Sequence, residues 1–431
     1  MKTWVMVVAL IMSSFVNAED GFDDEGFDDE MIEIVMDTTP SAKGALYGSV
    51  DFETHYNTGN NKDLSSLKVL TDVIGDYKFD NGNKITGNLK AYRDFIFDTG
   101  LNKHTITPES YDNEVNLNEL TIEGSINPNL DFKIGRQIVV WGKSDTIRIT
   151  DVLNPLDNRT PGLVDIKNLR LGKVMSKLDY YFDGLNLSVI ALHENRFTKL
   201  PAYGSDYKTS VDLPTNIPSN NFSNMGVALS LTGAFESYDL GLYFADTYID
   251  KPYLNGGVLQ YDNQSIMLGT AFNQVVGSYL FKGEVAHFDN IIYNTSASNT
   301  VSKSRTDVMV GIEYNGIANG SVGYEIALKT IHDYSPLIDN ALNGYKPEKE
   351  YQQVLRFNQT YLNQALELGI VLSAVGISAQ DGGSARVSLS YTLDDQRSIS
   401  GGVINYIGGD NPAIDSYKDN DRVFAKFSYL F

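Results

Sequence analysis

The sequence predicts an all-β protein, a transmembrane antiparallel β-barrel of about 18 strands, and three observations support that prediction. From residue 44 onward, apolar and polar side chains alternate over strand-length runs. The links between these runs alternate between short and long, and the chain ends on an aromatic strand. Such alternation indicates a sheet with two unlike faces, and the paired link lengths are typical of bacterial outer-membrane barrels. Counting the runs leaves 16 strands as the alternative.

The final strand, residues 422–431, reads RVFAKFSYLF and has one aromatic face. Alternate positions on that face carry Val423, Ala425, Phe427, Tyr429 and Phe431, opposite Phe424, Lys426, Ser428 and Leu430. A terminal phenylalanine preceded by spaced aromatic residues resembles the signal by which the outer-membrane assembly machinery recognises its clients. We therefore expect that machinery to be a partner through Phe431.

Link lengths distinguish the two ends of the barrel. Tight turns at residues 80–83, 127–129, 183–184, 236–237 and 394–396 alternate with long polar links at 141–171, 197–221, 290–304, 332–349 and 408–420. We expect short periplasmic turns and long extracellular loops, with an even strand count that leaves both termini periplasmic. A soluble β-sandwich or β-helix is the alternative, and the length of this cysteine-free meander without a repeat period weighs against it.

The first 43 residues predict export followed by a solvated tail. Lys2, an apolar run over residues 4–16 and small residues up to Ala18 form a signal peptide over residues 1–18. Residues 19–43 carry a repeated GFDDE motif, and such an acidic block is expected to be a disordered periplasmic tail. A sharper alternative uses Phe22 and Phe27 as docking anchors for a basic periplasmic partner. The barrel itself is expected over residues 44–431, in the outer membrane of a Gram-negative bacterium.

Charge and composition exclude several function classes. The net charge of −21 argues against nucleic-acid binding, because phosphate contacts need clustered lysine and arginine. With no cysteine there is neither a disulfide nor a thiolate metal site, and no pair of histidines has metal-ligand spacing. No serine stands in a nucleophile motif, so we predict no enzymatic activity and no cofactor. The five histidines are His55, His104, His193, His287 and His332. A hydrolase at the barrel rim is the least favoured alternative, and it requires His193 or His287 within hydrogen-bond reach of a serine and an acid.

One stretch departs from the acidic character of the chain. Residues 133–173 contain eight basic residues and four acidic residues. The motif GRQIVVWGKSDTIRITDVLNPLDNR supplies the pore-lining and ligand candidates, which are Arg136, Gln137, Trp141, Lys143, Asp145, Arg148, Asn154, Asp157 and Arg159. The loop 141–171 is too long and too rich in proline and asparagine for a simple connection, so we expect it to fold into the lumen and narrow it. Positive side chains there favour anions, and arginine–aspartate pairs that pin the loop are a compatible alternative.

Arg136 raises a separate question of placement. If residues 131–141 form a strand with Ile134 towards lipid, Gly135 and Gln137 point into the lumen and Arg136 falls on the lipid face. A guanidinium on that face costs about 2 to 4 kcal/mol at mid-depth. Three arrangements remain open: a bulge or register change near Gly135, shielding under a folded loop, or a position at the interface where the side chain reaches water.

The same stretch resembles the motif region of a proteobacterial outer-membrane family of unknown function, DUF1302, which is similar in outline to alginate-export barrels. The matching positions are Gly135-Arg136-Gln137, Trp141-Gly142, Asn154-Pro155 and Asp157. The resemblance implies an outer-membrane porin or exporter, working with an inner-membrane export pump on lipid-like or other hydrophobic cargo.

The leading functional hypothesis is a porin-like or exporter-like channel that passes anionic or lipid-like small molecules through a lumen narrowed by a locally basic loop. The alternative is a non-conducting surface protein that binds a partner through its long loops. Outer-membrane lipid and lipopolysaccharide are expected to surround the barrel, and a periplasmic or inner-membrane export component is an expected partner. Nucleic acid is not expected to bind.

Overall fold

The computed structural model describes residues 43–59, 62–101, 109–207 and 213–431. Residues 43–431 make one compact unit, and 18 of its strands pair into a single antiparallel sheet. The predicted count of 18 is confirmed, and the alternative of 16 is wrong. The predicted signal peptide and acidic tail up to Ala42, with Phe22 and Phe27, lie outside the described residues, as does His104.

The described chain contains 21 strands, numbered here in chain order. They are β1 (Gly44–Asn57), β2 (Leu64–Lys78), β3 (Lys84–Asp94), β4 (Asn113–Asn127), β5 (Leu130–Gln137), β6 (Lys173–Phe182), β7 (Leu185–Leu192), β8 (Thr215–Asn216), β9 (Gly226–Ala234), β10 (Tyr238–Tyr248), β11 (Tyr253–Asn255), β12 (Val258–Gln260), β13 (Gln264–Val276), β14 (Tyr279–Ser296), β15 (Asn299–Ile317), β16 (Gly320–Ile331), β17 (Lys349–Tyr361), β18 (Leu366–Val375), β19 (Gly382–Asp394), β20 (Arg397–Ile407) and β21 (Arg422–Leu430). Strands β8, β11 and β12 form a separate small sheet, and the others form the barrel.

Helical structure is confined to single turns in the links between strands. These turns are Ile96–Thr99, Glu109–Asp112, Ile166–Leu169 and Pro412–Asp415, with 3-10 turns at Phe222–Asn224, Pro336–Ile338 and Ala341–Asn343. Among the described residues, no helix has the length and apolar character that crossing a membrane requires.

The barrel closes where the last strand pairs with the first. On β21 and β1, Leu430 lies opposite Ser49 in an antiparallel register. The backbone of Phe431 both donates to and accepts from Gly48, at N–O distances of 3.0 and 2.9 Å. Closure matters because a sheet in hydrocarbon has no water for the N–H and C=O groups of an open edge.

The two faces of the sheet differ in the way that the alternation predicts. Phe52 of β1 lies opposite Phe427 of β21, their ring centroids are 6.4 Å apart, and Phe52 is 53% exposed. The next residues along, Asp51 and Ser428, also face each other and therefore point to the interior. Apolar side chains on the outer face suit lipid, and polar side chains line the inside.

The links also alternate as predicted, with short turns at one end of the barrel. Asp183 and Gly184 connect β6 to β7 with φ angles of 47° and 78°. A two-residue hairpin with both φ angles positive is the turn that matches the twist of paired strands, and aspartate followed by glycine adopts it readily.

The predicted long link at residues 290–304 is wrong. Strand β14 continues to Ser296 and β15 begins at Asn299, so the region is a hairpin with a two-residue turn. Its polar composition suggested a loop, but Ile291, Tyr293 and Val301 share one face of the paired strands, and the ladder absorbs a register shift between Phe288 and Ile291. The pairing of two complementary strands thus extends beyond the rest of the sheet.

Candidate functional site

The inner segment, residues 138–172 between β5 and β6, lies against the inward faces of distant strands. The Trp141 ring stacks on Tyr243 of β10 with centroids 4.9 Å apart. At the other side, the Tyr406 hydroxyl of β20 donates to the Pro161 carbonyl oxygen at 2.5 Å, and Arg386 of β19 donates to the Leu163 carbonyl oxygen at 2.8 Å. The segment therefore reaches both the β10 side and the β19–β20 side of the lumen.

Apolar packing holds one part of the inner segment to the barrel wall. The buried cluster contains the segment residues Trp141, Ile147, Ile149 and Leu153 together with the wall residues Ile190, Ala228, Met267 and Met309. Ile149 and Leu153 are 2% and 1% exposed. Burial of this apolar surface favours the segment on the β7–β16 part of the wall, because removing apolar area from water stabilises the packed state.

A buried carboxylate on β14 receives backbone hydrogen bonds from two places in the inner segment. One oxygen of Glu284 accepts from the N–H groups of Lys143 and Ser144 at 2.6 and 2.7 Å. The other oxygen accepts from the N–H and hydroxyl of Thr150 at 3.0 and 2.8 Å. Gly142 must be glycine here, because its φ is +87° and a Cβ would lie 2.5 Å from the Glu284 carboxylate.

A second carboxylate, Glu325 of β16, holds the adjoining turn. It accepts from the Ser144 hydroxyl and the Asp145 N–H, both at 2.8 Å, and from the N–H groups of Thr146 and Ile147 at 3.2 and 3.3 Å. Sequence reasoning missed Glu284 and Glu325, which are 2% and 6% exposed. The available signal was a carboxylate at an inward position of each strand, but nothing in the sequence indicates its partner.

Asn154 ties together the two ends of the inner segment. Its side-chain oxygen accepts from the Val139 N–H at 2.8 Å, and its amide nitrogen donates to the carbonyl oxygens of Gln137 and Leu171 at 3.1 and 2.9 Å. Asn154 is 1% exposed and Gln137 is fully buried. Both predicted candidates thus lie at the base of the segment, where they satisfy backbone groups.

Lys143 and Asp145 form ion pairs with different strands of the wall. The Lys143 Nζ atom lies 2.9 Å from the carboxylate of Asp239 on β10. The Asp145 carboxylate lies 2.6 Å from Lys282 of β14 and 3.3 Å from Arg356 of β17. These pairs add charge complementarity to the backbone contacts of the same turn.

Arg148 is paired within the inner segment itself. Its guanidinium lies 3.2 Å from the carboxylate of Asp151 and donates to the Asn154 carbonyl oxygen at 2.7 Å. Asp151 also pairs with Arg170 at 2.9 Å and is 5% exposed. Both arginines share one buried carboxylate, so loss of Asp151 would leave two positive charges in the segment without this partner.

Arg159 pairs with carboxylates from the segment and from the wall. It contacts Asp157, and its guanidinium lies 2.6 Å from Glu114 of β4. Burial raises the pKa of Asp157, but the hydrogen bonds and charge of Arg159 and the charge of Lys199 outweigh it and hold that pKa below its ordinary value. The Tyr111 hydroxyl donates to the Arg159 carbonyl oxygen at 2.6 Å.

Arg136 lies on the outward face of the sheet. It is opposite Leu120, which is 49% exposed. The guanidinium donates to the Gly172 carbonyl oxygen at 3.0 Å and to the Glu194 carboxylate at 2.7 Å. The ladders of β5 show no register shift at Gly135, so the charge is accommodated by pairing at the loop end of the strand.

The structure brings Lys143, Arg148 and Arg159 into one segment but gives each of them a carboxylate partner. Arg136 is separated from them by its position on the outward face. The compatible alternative, in which ion pairs pin the loop, describes these contacts. Anion selection by the four cations stays a prediction.

Four of the five histidines lie within the described residues, and the polar contacts of these four side chains are with a hydroxyl group or with one carboxylate. The His193 Nε2 atom lies 2.8 Å from the Ser176 hydroxyl, and His287 and His332 contact the Thr306 hydroxyl at 2.9 and 2.7 Å. Within the described residues, the one histidine–carboxylate pair is His55 with Glu53, at 3.1 Å. That part of the chain also contains no group of three or more histidine or acidic side chains placed to hold a metal ion.

Solved structures with the same barrel fold include three outer-membrane-type proteins. Acinetobacter baumannii OccAB2 has a TM-score of 0.54 at 10% sequence identity, covering 90% of this chain and 98% of its own. Pseudomonas aeruginosa OccK2 (OpdF), solved in complex with glucuronate, has a TM-score of 0.54 at 12% identity, with 90% and 98% coverage. The outer membrane protein OpdK of Pseudomonas aeruginosa has a TM-score of 0.51 at 10% identity, with 90% and 99% coverage.

Sequence comparison adds the family. No curated protein matches this chain. The model of a protein family of unknown function, DUF1302, matches residues 46–431, which is nearly the whole chain and includes the motif at residues 135–159. With its porin-like barrel of 18 strands, the chain belongs to the DUF1302 family.

Proposed function

We propose that the protein is a non-enzymatic diffusion channel of the Gram-negative outer membrane, admitting small polar solutes past the inner segment. The observation that carries the proposal is solvent-accessible charge on the inside of the barrel. Lys90 of β3 and Asp72 of β2 lie opposite each other on the inward face, and their side chains are 39% and 35% exposed. Charged side chains with that exposure indicate a lumen that contains water.

The uneven distribution of side chains around the lumen supports a passage beside the inner segment. Ile190, Met267 and Met309 cover the β7–β16 part of the wall with apolar surface, and the segment packs on it. Across the barrel, the inward positions of β19 and β20 carry serine, as in the pairs Ser388–Gly402 and Ser390–Ser400. Hydrated solutes suit that polar side better than a lipid tail does, because transfer of hydroxyl groups to an apolar neighbour is unfavourable.

Small anionic solutes are the more specific part of the proposal. Lys143, Arg148 and Arg159 have carboxylate partners, so they contribute a local field that is largely balanced. Inward-facing Arg356 is 35% exposed at its side chain beside Asp145, and a guanidinium there can meet a passing carboxylate. The outer-membrane lipid, lipopolysaccharide, the assembly machinery acting through Phe431 and an export component stay proposed partners.

A non-conducting binding protein is the second candidate, and one contact favours it. The inner segment reaches the opposite wall, where the Tyr406 hydroxyl bonds to Pro161 and Arg386 pairs with Asp165. A segment that is anchored on both sides narrows the lumen more than one that is anchored on one side.

Swelling of proteoliposomes distinguishes the two candidates. The refolded full-length protein is reconstituted and exposed to uncharged sugars of increasing size. We expect swelling with small sugars, and a larger size limit in the Glu284→Gln/Glu325→Gln variant because the inner segment loses acceptors on both wall strands. Glu367→Gln is the matched control, since β18 presents this carboxylate inward without a bond to the segment in the described part of the chain. A wild type and double variant that both fail to swell would favour the binding protein.

A further inference from the structure

A polar row crosses the outward face of four neighbouring strands near the long-loop end of the barrel. On β14 and β15 His287 lies opposite Thr306, and on β16 and β17 Thr330 lies opposite Lys349. Thr306 and Thr330 are also opposite each other, so these four residues, called here the outer row, are continuous. Their direction follows from strand alternation, because a sequence neighbour of each is buried on the inner face. These neighbours are Ala286, Asp307, Ile331 and Glu350.

The adjacent row of outward side chains, on the short-turn side of the outer row, is apolar. Val285 lies opposite Val308, Val308 opposite Leu328, and Leu328 opposite Tyr351. Val285 and Val308 are 40% and 39% exposed on the surface that faces lipid. The change to imidazole, hydroxyl and ammonium groups within two residues marks one edge of the apolar band.

The position of the other edge places the outer row at a membrane interface. Tyr279 of β14 and Tyr314 of β15 face each other near the short-turn end, with ring centroids 4.8 Å apart, as aromatic girdle residues do. The eight residues from Tyr279 to His287 rise about 20 Å along the barrel axis, at about 3.4 Å per residue and a tilt of about 40°. Because the apolar band of such barrels is about 25 Å tall, the outer row lies where acyl chains give way to headgroups.

A shared hydroxyl joins two imidazole rings at this edge. The Thr306 hydroxyl lies 2.9 Å from Nδ1 of His287 and 2.7 Å from Nε2 of His332, which is two positions beyond Thr330 on the same face. A hydroxyl has one proton and can donate to only one of the rings, and the ring that it donates to carries its own proton on the far nitrogen. Both histidines are exposed, so that N–H group can reach an acceptor outside the protein.

Lys349 supplies a positive charge at the end of the outer row. Its side chain is exposed and makes no ion pair or hydrogen bond with the described residues 43–59, 62–101, 109–207 and 213–431. Arg136, also on the outward face, differs because its guanidinium is bonded to Glu194 at 2.7 Å. The outer row has no acidic member. The carboxylates that follow it on the long-loop side are Asp289, Asp333 and Glu348.

We propose that the outer row, with His332, binds a phosphate group of an outer-leaflet lipid, the phosphorylated headgroup of lipopolysaccharide. A phosphate oxygen accepts hydrogen bonds from hydroxyl, imidazole and ammonium donors, and these bonds are strong because the acceptor is charged. The acyl chains of the same lipid would cover Val285 and Val308, so both ends of the ligand have a matching surface. The site rests on the proposed placement in the outer membrane, since the outer leaflet surrounds the long-loop end.

Native mass spectrometry of the refolded full-length protein in detergent tests the site. The protein is titrated with lipid A that carries its phosphate groups and with lipid A from which a phosphatase has removed them. We expect the phosphorylated lipid to bind roughly tenfold more tightly, because hydrogen bonds to a charged acceptor are lost without it. The His287→Gln/Lys349→Gln variant, which lacks one imidazole and the ammonium group, is expected to bind both lipids equally.

A matched control removes the same two groups from other parts of the long-loop end. His193 makes a similar imidazole–hydroxyl contact with Ser176 of β6 at 2.8 Å, and Lys62 is exposed in the link after β1. His193→Gln/Lys62→Gln is therefore expected to keep the wild-type preference. Equal binding of the two lipids by the wild type, or a preference that survives in His287→Gln/Lys349→Gln, would overturn the site.

Competition with sodium phosphate separates a lipid site from a site for free phosphate. An excess of sodium phosphate is expected to leave the phosphorylated lipid bound, because the apolar row holds its acyl chains; displacement would assign the site to free phosphate and overturn the lipid. A heat-modifiable shift on a gel verifies that each variant is folded.

The lipid site and the channel fail separately. A preference for the phosphorylated lipid in a protein that gives no swelling of proteoliposomes supports the site and removes the channel. Swelling without any preference between the two lipids leaves the channel standing and removes the site.

Discussion

The Glu284→Gln substitution tests whether the wall carboxylate holds the inner segment. One Glu284 oxygen accepts from two backbone N–H groups and the other accepts from Thr150, so a glutamine keeps one acceptor and turns an NH₂ group towards the remaining donors. Two hydrogen bonds to a charged acceptor are lost, and each contributes about 1.5 to 3 kcal/mol. With about 3 kcal/mol as the minimum loss, the released population of the segment rises roughly a hundredfold.

Limited proteolysis measures that population directly. Trypsin cuts after lysine and arginine, and Lys143 and Arg148 become accessible when the segment leaves the wall. Because cleavage from a rapidly exchanging open state follows its population, we expect the rate of cleavage at these residues to rise about a hundredfold in the folded Glu284→Gln barrel. Glu367→Gln removes a carboxylate from the inward face without touching the segment and is expected to be cut at the wild-type rate. Equal rates in all three proteins would refute the reasoning.

Three further perturbations test other contacts of the inner segment. Asn154→Ala leaves three backbone groups at the base of the inner segment without their partner, so we expect the free energy of unfolding to fall by about 2 to 4 kcal/mol. The temperature at which the folded barrel shifts on a gel should fall with it. Asn158→Ala, the control, is expected to have little effect. Trp141→Ala removes a ring that is 6% exposed and stacked on Tyr243. The cavity that this leaves is expected to lower the free energy of unfolding in urea by about 3 to 5 kcal/mol. An unchanged urea midpoint would contradict that packing. The pKa of Asp157 is lowered in the folded state, so the stability that its charge contributes is present above the ordinary pKa of 3.8 and is lost as the pH falls below that value. We therefore expect the unfolding rate of Asp157→Asn to depend less steeply on pH in that acid range than the wild-type rate does. Equal slopes for the two proteins would count against the pairing.

The barrel was predictable because membrane insertion constrains nearly every strand residue. Lipid outside and polar groups inside impose the period of two that the final strand displays from Val423 to Phe431, and closure requires each strand to pair with its neighbours. The prediction was wrong at residues 290–304 because composition was used there instead of alternation. Ile291 and Tyr293 keep the period of two on β14, and Val301 of β15 lies opposite Tyr293.

The contacts of the inner segment were less predictable. The motif at residues 135–159 supplied the candidate residues, but Lys143 and its acceptor Glu284 are 141 positions apart in the chain. Asp145 and Glu325 are separated by 180 positions. A carboxylate in a strand gives no indication of which loop will donate to it, because that depends on which inward positions lie beside the loop in the closed barrel.

By itself the sequence determined the alternation of the strands, which end of the barrel has short turns and which has long loops, and the position of the basic stretch at residues 133–173. These features follow from the local pattern of residues and from the demands of the bilayer. Only the tertiary structure decided that Lys143 has a carboxylate partner in Asp239 of β10 and that Arg159 has one in Glu114 of β4. The physical reason is that a charge is balanced by whatever lies within a few ångströms of it, and in a closed barrel those neighbours come from strands and loops far away in the chain.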